Sequence, residues 1–119
     1  MSERGEEKVR AALKRVWLDS RPEALERLAT LERFSENLRS SISNQTAREG
    51  ALAAAHRLSG ALGMFGYHEA SACASEIEST LAGGPSPDGS RLAELVTRLR
   101  GLLEKTEVQY TTRLEKDDS

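Results

Sequence analysis

Apolar residues recur three and four positions apart through most of the chain, and that spacing leaves little room for anything but helices. Ala24, Leu28, Leu31, Ser35, Leu38 and Ile42 follow one another at alternating intervals of four and three, with Leu25 and Phe34 beside them. At about 100° per residue such positions share one face of an α-helix, whereas a half-buried strand needs strict alternation. Val9, Leu13, Val16 and Trp17 repeat the pattern, as do Ala70, Ala74, Ile77 and Leu81. Leu92, Leu95, Val96, Leu99, Leu102, Leu103 and Thr106 repeat it again. Composition agrees: aromatics make up only 4% of a chain rich in Leu, Ala, Glu and Arg, which favour helix over strand.

Breaks divide the periodic stretches. Ser20-Arg-Pro-Glu23 and Thr46-Ala-Arg-Glu49 both have the S/T-x-x-E form of a capping box, in which a hydroxyl and a carboxylate satisfy the free N–H groups at a helix start. Pro22 falls in the first turn, where its missing N–H does no harm. Gly66 suits a helix C-cap, and Gly83-Gly84-Pro85 stops the segment before it. The expected helices span roughly 5–18, 21–43, 47–65, 67–82 and 91–113, with a plain loop over Gly83 to Ser90 and a charged tail from Glu115. Such stripes bury themselves only against one another. The expected fold is therefore all-α, an antiparallel four-helix bundle with an additional N-terminal helix, in a single domain over 1–119.

Several functions are excluded at this level. At 119 residues the chain has no room for a complete ATP-using kinase. Seventeen basic against nineteen acidic residues leave a net charge of −2, so no overall field draws it to nucleic acid or to an anionic membrane. It has no apolar run near the roughly 20 residues that span a bilayer, and Met1 to Lys8 is charged, unlike a secretory signal, so a cytoplasmic location is expected. Cys73 is the only cysteine, which excludes an internal disulfide and a thiolate metal cluster; among Ala70, Ala74 and Ile77 it reads as a small buried hydrophobe.

The chemistry falls on the helix expected over 47–65. Phe65 projects opposite His56, with Ala54, Leu58, Ala61 and Leu62 around it, so the core lies on that side and His56 points to solvent. Neighbours of His56 on its own face, three, four and seven positions away, are Glu49, Leu52, Ala53, Ser59, Gly60 and Gly63, most of them small. A glycine inside a helix costs about 1 kcal/mol relative to alanine, so Gly60 and Gly63 call for a reason. Tight packing of a neighbouring helix is one; close approach of a partner is favoured, because both glycines project on the side of His56. An exposed neutral imidazole is a nitrogen nucleophile that needs no general base and can take a phosphoryl group directly. Such transfer depends on positioning and charge neutralisation, commonly by Mg²⁺, and with no carboxylate cluster to hold a metal the ion is expected on the partner.

Ala55-His56-Arg57-Leu58-Ser59-Gly60, followed after five residues by Gly66, resembles the histidine-containing phosphotransfer (HPt) domain family, whose signature is His-x-Leu-Lys-Gly with a glycine at the helix end. Ala74-Ser-Glu-Ile-Glu-Ser-Thr-Leu81 is similar to the stretch packed behind the phosphorylated helix in that family. The resemblance implies that His56 is phosphorylated, that Leu58 anchors the core, that Gly60 leaves clearance for a receiver domain and that Gly66 stops the helix. It implies a phosphorelay intermediate of two-component signalling, with the receiver domain of a response regulator or hybrid histidine kinase as partner, Mg²⁺ on that partner, no cofactor of its own and no ATP-dependent kinase activity. Leu52, Ala53, Ser59, Gly60 and Gly63 would form the docking face.

Ser59 stands where the family usually has lysine, whose charge would offset the phosphoryl group. Arg57 and Arg48 flank the face as possible substitutes. The alternative is an interaction module of the same fold that docks a receiver or kinase without phosphotransfer. A helical hydrolase or metalloenzyme lacks its paired carboxylates and nucleophile with base. His68 opens the next helix and has no metal-ligand spacing with His56 and Cys73, so no metal site is expected.

Overall fold

The computed structural model describes residues 3–39, 45–83 and 88–117, and their side chains over 5–38, 45–83 and 88–105. Its elements are α1 (Glu3–Arg39), α2 (Gln45–Met64), α3 (His68–Ala82) and α4 (Gly89–Asp117), with no strand among the described residues. α1 packs on α2 and α4, and α3 on α2 and α4, which closes a ring of four helices. Partners run in opposite directions along each seam. Glu69, Cys73 and Glu76 of α3 meet Arg98, Leu95 and Arg91 of α4, and Glu32 of α1 meets Arg100. The bundle is antiparallel.

The apolar stripes meet inside. Leu28, Leu31, Leu58, Leu62, Ile77, Leu81, Leu92, Leu95, Leu99 and Leu103 are all buried, and each such side chain contributes about 1.5–3 kcal/mol by leaving water. α2 contributes Ala51, Ala54 and Ala55 to this core, and side chains that small let its neighbours come close. Ser35 shares the stripe of α1 and is the buried polar residue of the described core. Leu38 is partly buried against it; Ile42 lies outside the described residues.

The expected additional N-terminal helix is corrected by α1, which runs without interruption from Glu3 to Arg39 with Pro22 inside it. Ser20 and Glu23 therefore do not cap a helix start. The ring of Pro22 leaves the Leu18 carbonyl without its usual N–H partner, a cost of about 3 kcal/mol in an ordinary helix interior. Packing on both sides of the proline offsets it. Trp17 is 2% exposed, tilted against Phe65 at 5.3 Å and edge-on to Tyr67 at 5.0 Å between ring centroids, and Ala24, seven residues later, is also buried. Below Trp17 the stripe loses its partners, and Val9, Leu13 and Val16 are exposed.

The remaining helix ends follow local chemistry. Gly66 has φ +84°, open to glycine at no steric cost, and donates to Gly63 O while Tyr67 donates to Leu62 O. That pair of bonds is the Schellman arrangement, and it stops α2. α2 begins at Gln45, ahead of Thr46, and Gln45 Nε2 donates to the Glu49 carboxylate. α4 begins at Gly89, earlier than expected, because the Asp88 carboxylate accepts from the N–H groups of Ser90 and Arg91 at 3.1 and 3.2 Å. No helix among the described residues is long and apolar enough to cross a membrane.

Candidate functional site

His56 stands midway along α2, with Leu58, Leu62, Ala54 and Ala55 buried on the other sides of the helix. Its side chain is 76% exposed. One of its nitrogens is already engaged: Nδ1 lies 2.6 Å from Oε2 of Glu78 on α3. Glu78 follows Ile77, which is completely buried in the core. An ionised carboxylate only accepts, so Nδ1 carries the proton, and Nε2 presents its lone pair to solvent. The imidazole is both exposed and oriented.

On one side of His56, α2 is sealed against α3. The hydroxyls of Ser59 and Ser75 are 2.5 Å apart, and Ser71 Oγ donates to the Ser59 carbonyl at 2.7 Å. A Cβ on Gly63 would stand 3.2 Å from Ser71 Oγ. Ser59 and Gly63, both half-buried, therefore lie along the helix–helix seam, at the α3 side of the expected docking face. The reason is geometric: α3 crosses α2 on the flank that positions three and seven residues beyond His56 occupy. Leu52 is likewise partly buried against the core.

The other flank is open. A Cβ on Gly60 would meet no atom within 4 Å, and Ala53 and Arg57 are exposed. Arg48 is not on this surface, because its Nε donates to the Leu81 carbonyl at 3.2 Å, one of the free carbonyls that end α3. Of the two arginines expected near the histidine, Arg57 alone stays on the open side. Met64, two turns along from His56, is 66% exposed.

Glu78 is the residue beside His56 that sequence reasoning missed. No spacing relates position 78 to position 56; the one hint was that Glu78 lies in the 74–81 stretch but off the stripe of Ala74, Ile77 and Leu81.

Other candidate groups stay apart from this site. His68 is exposed at the start of α3. Cys73 is buried, its Sγ donating to Leu95 O at 3.2 Å, and burial pushes its thiol above the ordinary range. Among the described residues no three His, Cys, Asp or Glu side chains gather as a metal site would need.

The arrangement offers one nucleophilic nitrogen on an open helix face, fixed by a carboxylate beneath it and reachable by another macromolecule. No curated protein and no solved structure matches the chain. A family model, the Hpt domain, matches residues 12–109 of the 119, a span that takes in most of α1, all of α2 and α3 and much of α4. The match covers most of the chain, which belongs to the Hpt domain family, whose members serve phosphotransfer in two-component phosphorelays.

Proposed function

We propose that His56 is the phosphoryl-carrying residue, exchanging the group with the aspartate of a receiver domain. The observation that carries this reading is an imidazole 76% exposed whose Nδ1 is held by Glu78 at 2.6 Å, leaving Nε2 free to react. The lone pair of Nε2 attacks the phosphorus of an aspartyl phosphate, the P–O bond to the aspartate breaks, and the aspartate leaves as a carboxylate. No proton has to be removed from the attacking nitrogen. The Nδ1 proton stays, the ring becomes an imidazolium, and the Glu78 carboxylate stabilises the charge that develops. The reverse attack by a second receiver's aspartate returns the group.

Mg²⁺ is assigned to the receiver, where it neutralises the phosphoryl oxygens. On this chain Arg57 is the cation nearest in sequence to His56, and Ser59, turned to Ser75, supplies none. We assign no ATP-dependent step and no cofactor to the chain itself.

The serine in place of lysine favours a second reading, a module that docks a receiver without taking its phosphoryl group. Incubation with radiolabelled phosphorylated receivers separates the two. Acid-labile label on the parent chain that is lost in His56→Gln supports transfer; binding without label supports docking alone.

A further inference from the structure

Met64 is the last residue of α2 and is 66% exposed; among the described residues the other exposed large apolar side chains lie on the N-terminal part of α1. Eight helical residues separate it from His56, about 12 Å along the axis, and at 100° per residue the two directions differ by only about 80°. Gly60 lies between them on the same strip, with open space where its side chain would be. The imidazole, a bare stretch of backbone and a thioether thus form one continuous surface. It turns away from the flank that Ser59, Ser71 and Gly63 close against α3.

We propose that Met64 is the apolar anchor of receiver docking, received by an apolar patch beside the receiver's phosphorylated aspartate. This rests on the transfer reading, and it follows from the size of the contact that transfer requires. Attack at Nε2 brings the phosphorus to about 3–3.5 Å, so the receiver must cover the surface around His56. A specific interface buries about 600–800 Å² per partner, a disc of about 14–16 Å radius. Met64 lies inside such a disc centred on His56. Val9, eight residues before Trp17, does not: Trp17 is level with Phe65, which puts Val9 about 25 Å from His56 along the bundle.

A methionine is suited to the role. Its unbranched, polarisable side chain adapts to differently shaped pockets, so one relay protein can engage more than one receiver.

The test uses the full chain and a receiver that phosphorylates the parent, with transfer rate measured against receiver concentration. Met64→Glu raises the half-saturating concentration about tenfold or more, leaves the saturated rate within about twofold, and leaves helix content unchanged; Met64→Leu restores the parent value. Val9→Glu, an equally exposed apolar position outside the disc, has no effect. An unmoved half-saturating concentration in Met64→Glu, or an equal rise in Val9→Glu, overturns the anchor while the labelled parent leaves transfer standing. A parent chain that no receiver labels overturns the transfer reading, and the anchor with it.

Discussion

His56 and Glu78 lie 22 positions apart on adjacent antiparallel helices and are joined, Nδ1 to Oε2, at 2.6 Å. The bond orients the ring and places a negative charge against the nitrogen that becomes positive when the other one is phosphorylated. Hydrogen bonds to charged groups contribute roughly 1.5–3 kcal/mol. Glu78→Ala should therefore slow transfer from a phosphorylated receiver by tenfold or more. Glu78→Gln keeps an acceptor without the charge and should fall between the two. Rapid-quench rates at saturating receiver check this; equal rates for all three proteins would remove Glu78 from the mechanism.

His68 is the other histidine, and it too is exposed, at the first position of α3. No carboxylate bond like that of His56 orients it among the contacts seen here. His56→Gln should abolish acid-labile labelling and His68→Gln should leave it intact. Label surviving in His56→Gln would refute the assignment.

Gly60 and Gly63 look equivalent in sequence but stand in different surroundings. Gly60→Gln projects into open space, so thermal stability should hold while transfer is lost through obstruction beside His56. Gly63→Leu must displace Ser71, whose hydroxyl is already 3.2 Å from where a Cβ would be, and should destabilise the bundle by about 1–3 kcal/mol. Denaturation midpoints set against transfer rates distinguish the two outcomes.

Arg57 and Arg48 should separate in the same way. Arg57→Ala removes the cation on the open flank and should slow transfer several-fold without changing stability. Arg48→Ala removes a donor to Leu81 O at the end of α3 and should cost about 0.5–1.5 kcal/mol of stability with little effect on transfer. Ser59→Lys must give up the bond to Ser75, so its effect on rate has to be measured beside its effect on stability.

Glu32 and Arg100 join α1 to α4 through two hydrogen bonds, 2.5 and 2.7 Å, and the guanidinium holds the Glu32 carboxyl below the ordinary carboxylate range. A carboxyl lowered in the folded state stabilises the fold above its ordinary range and loses that contribution as pH falls through the folded value. Both side chains are partly exposed, so the contribution is about 1 kcal/mol or less. Glu32→Gln should be slightly less stable than the parent in urea near neutral pH, and the difference should vanish in strong acid. A difference that persists unchanged at low pH would rule out the ion pair as its cause.

The all-helical fold, the stripe from Ala24 to Leu38, the left-handed stop at Gly66 and the outward direction of His56 were legible in the residues themselves. Each depends on interactions within a few positions: periodic side chains on one face, a glycine where φ is positive, a histidine opposite Phe65. Three features were decided by packing. α1 continues through Pro22 because Trp17 and Ala24 bury on either side of it, a gain that a local capping signal does not register. Ser59 and Gly63 turn into the seam, and Arg48 to the end of α3, because of where α3 crosses α2. Glu78 reaches His56 for the same reason. Helical periodicity says which side of a helix is apolar, but the relative rotation of two packed helices sets which polar residues meet across their edge, and that rotation is a property of the assembled core.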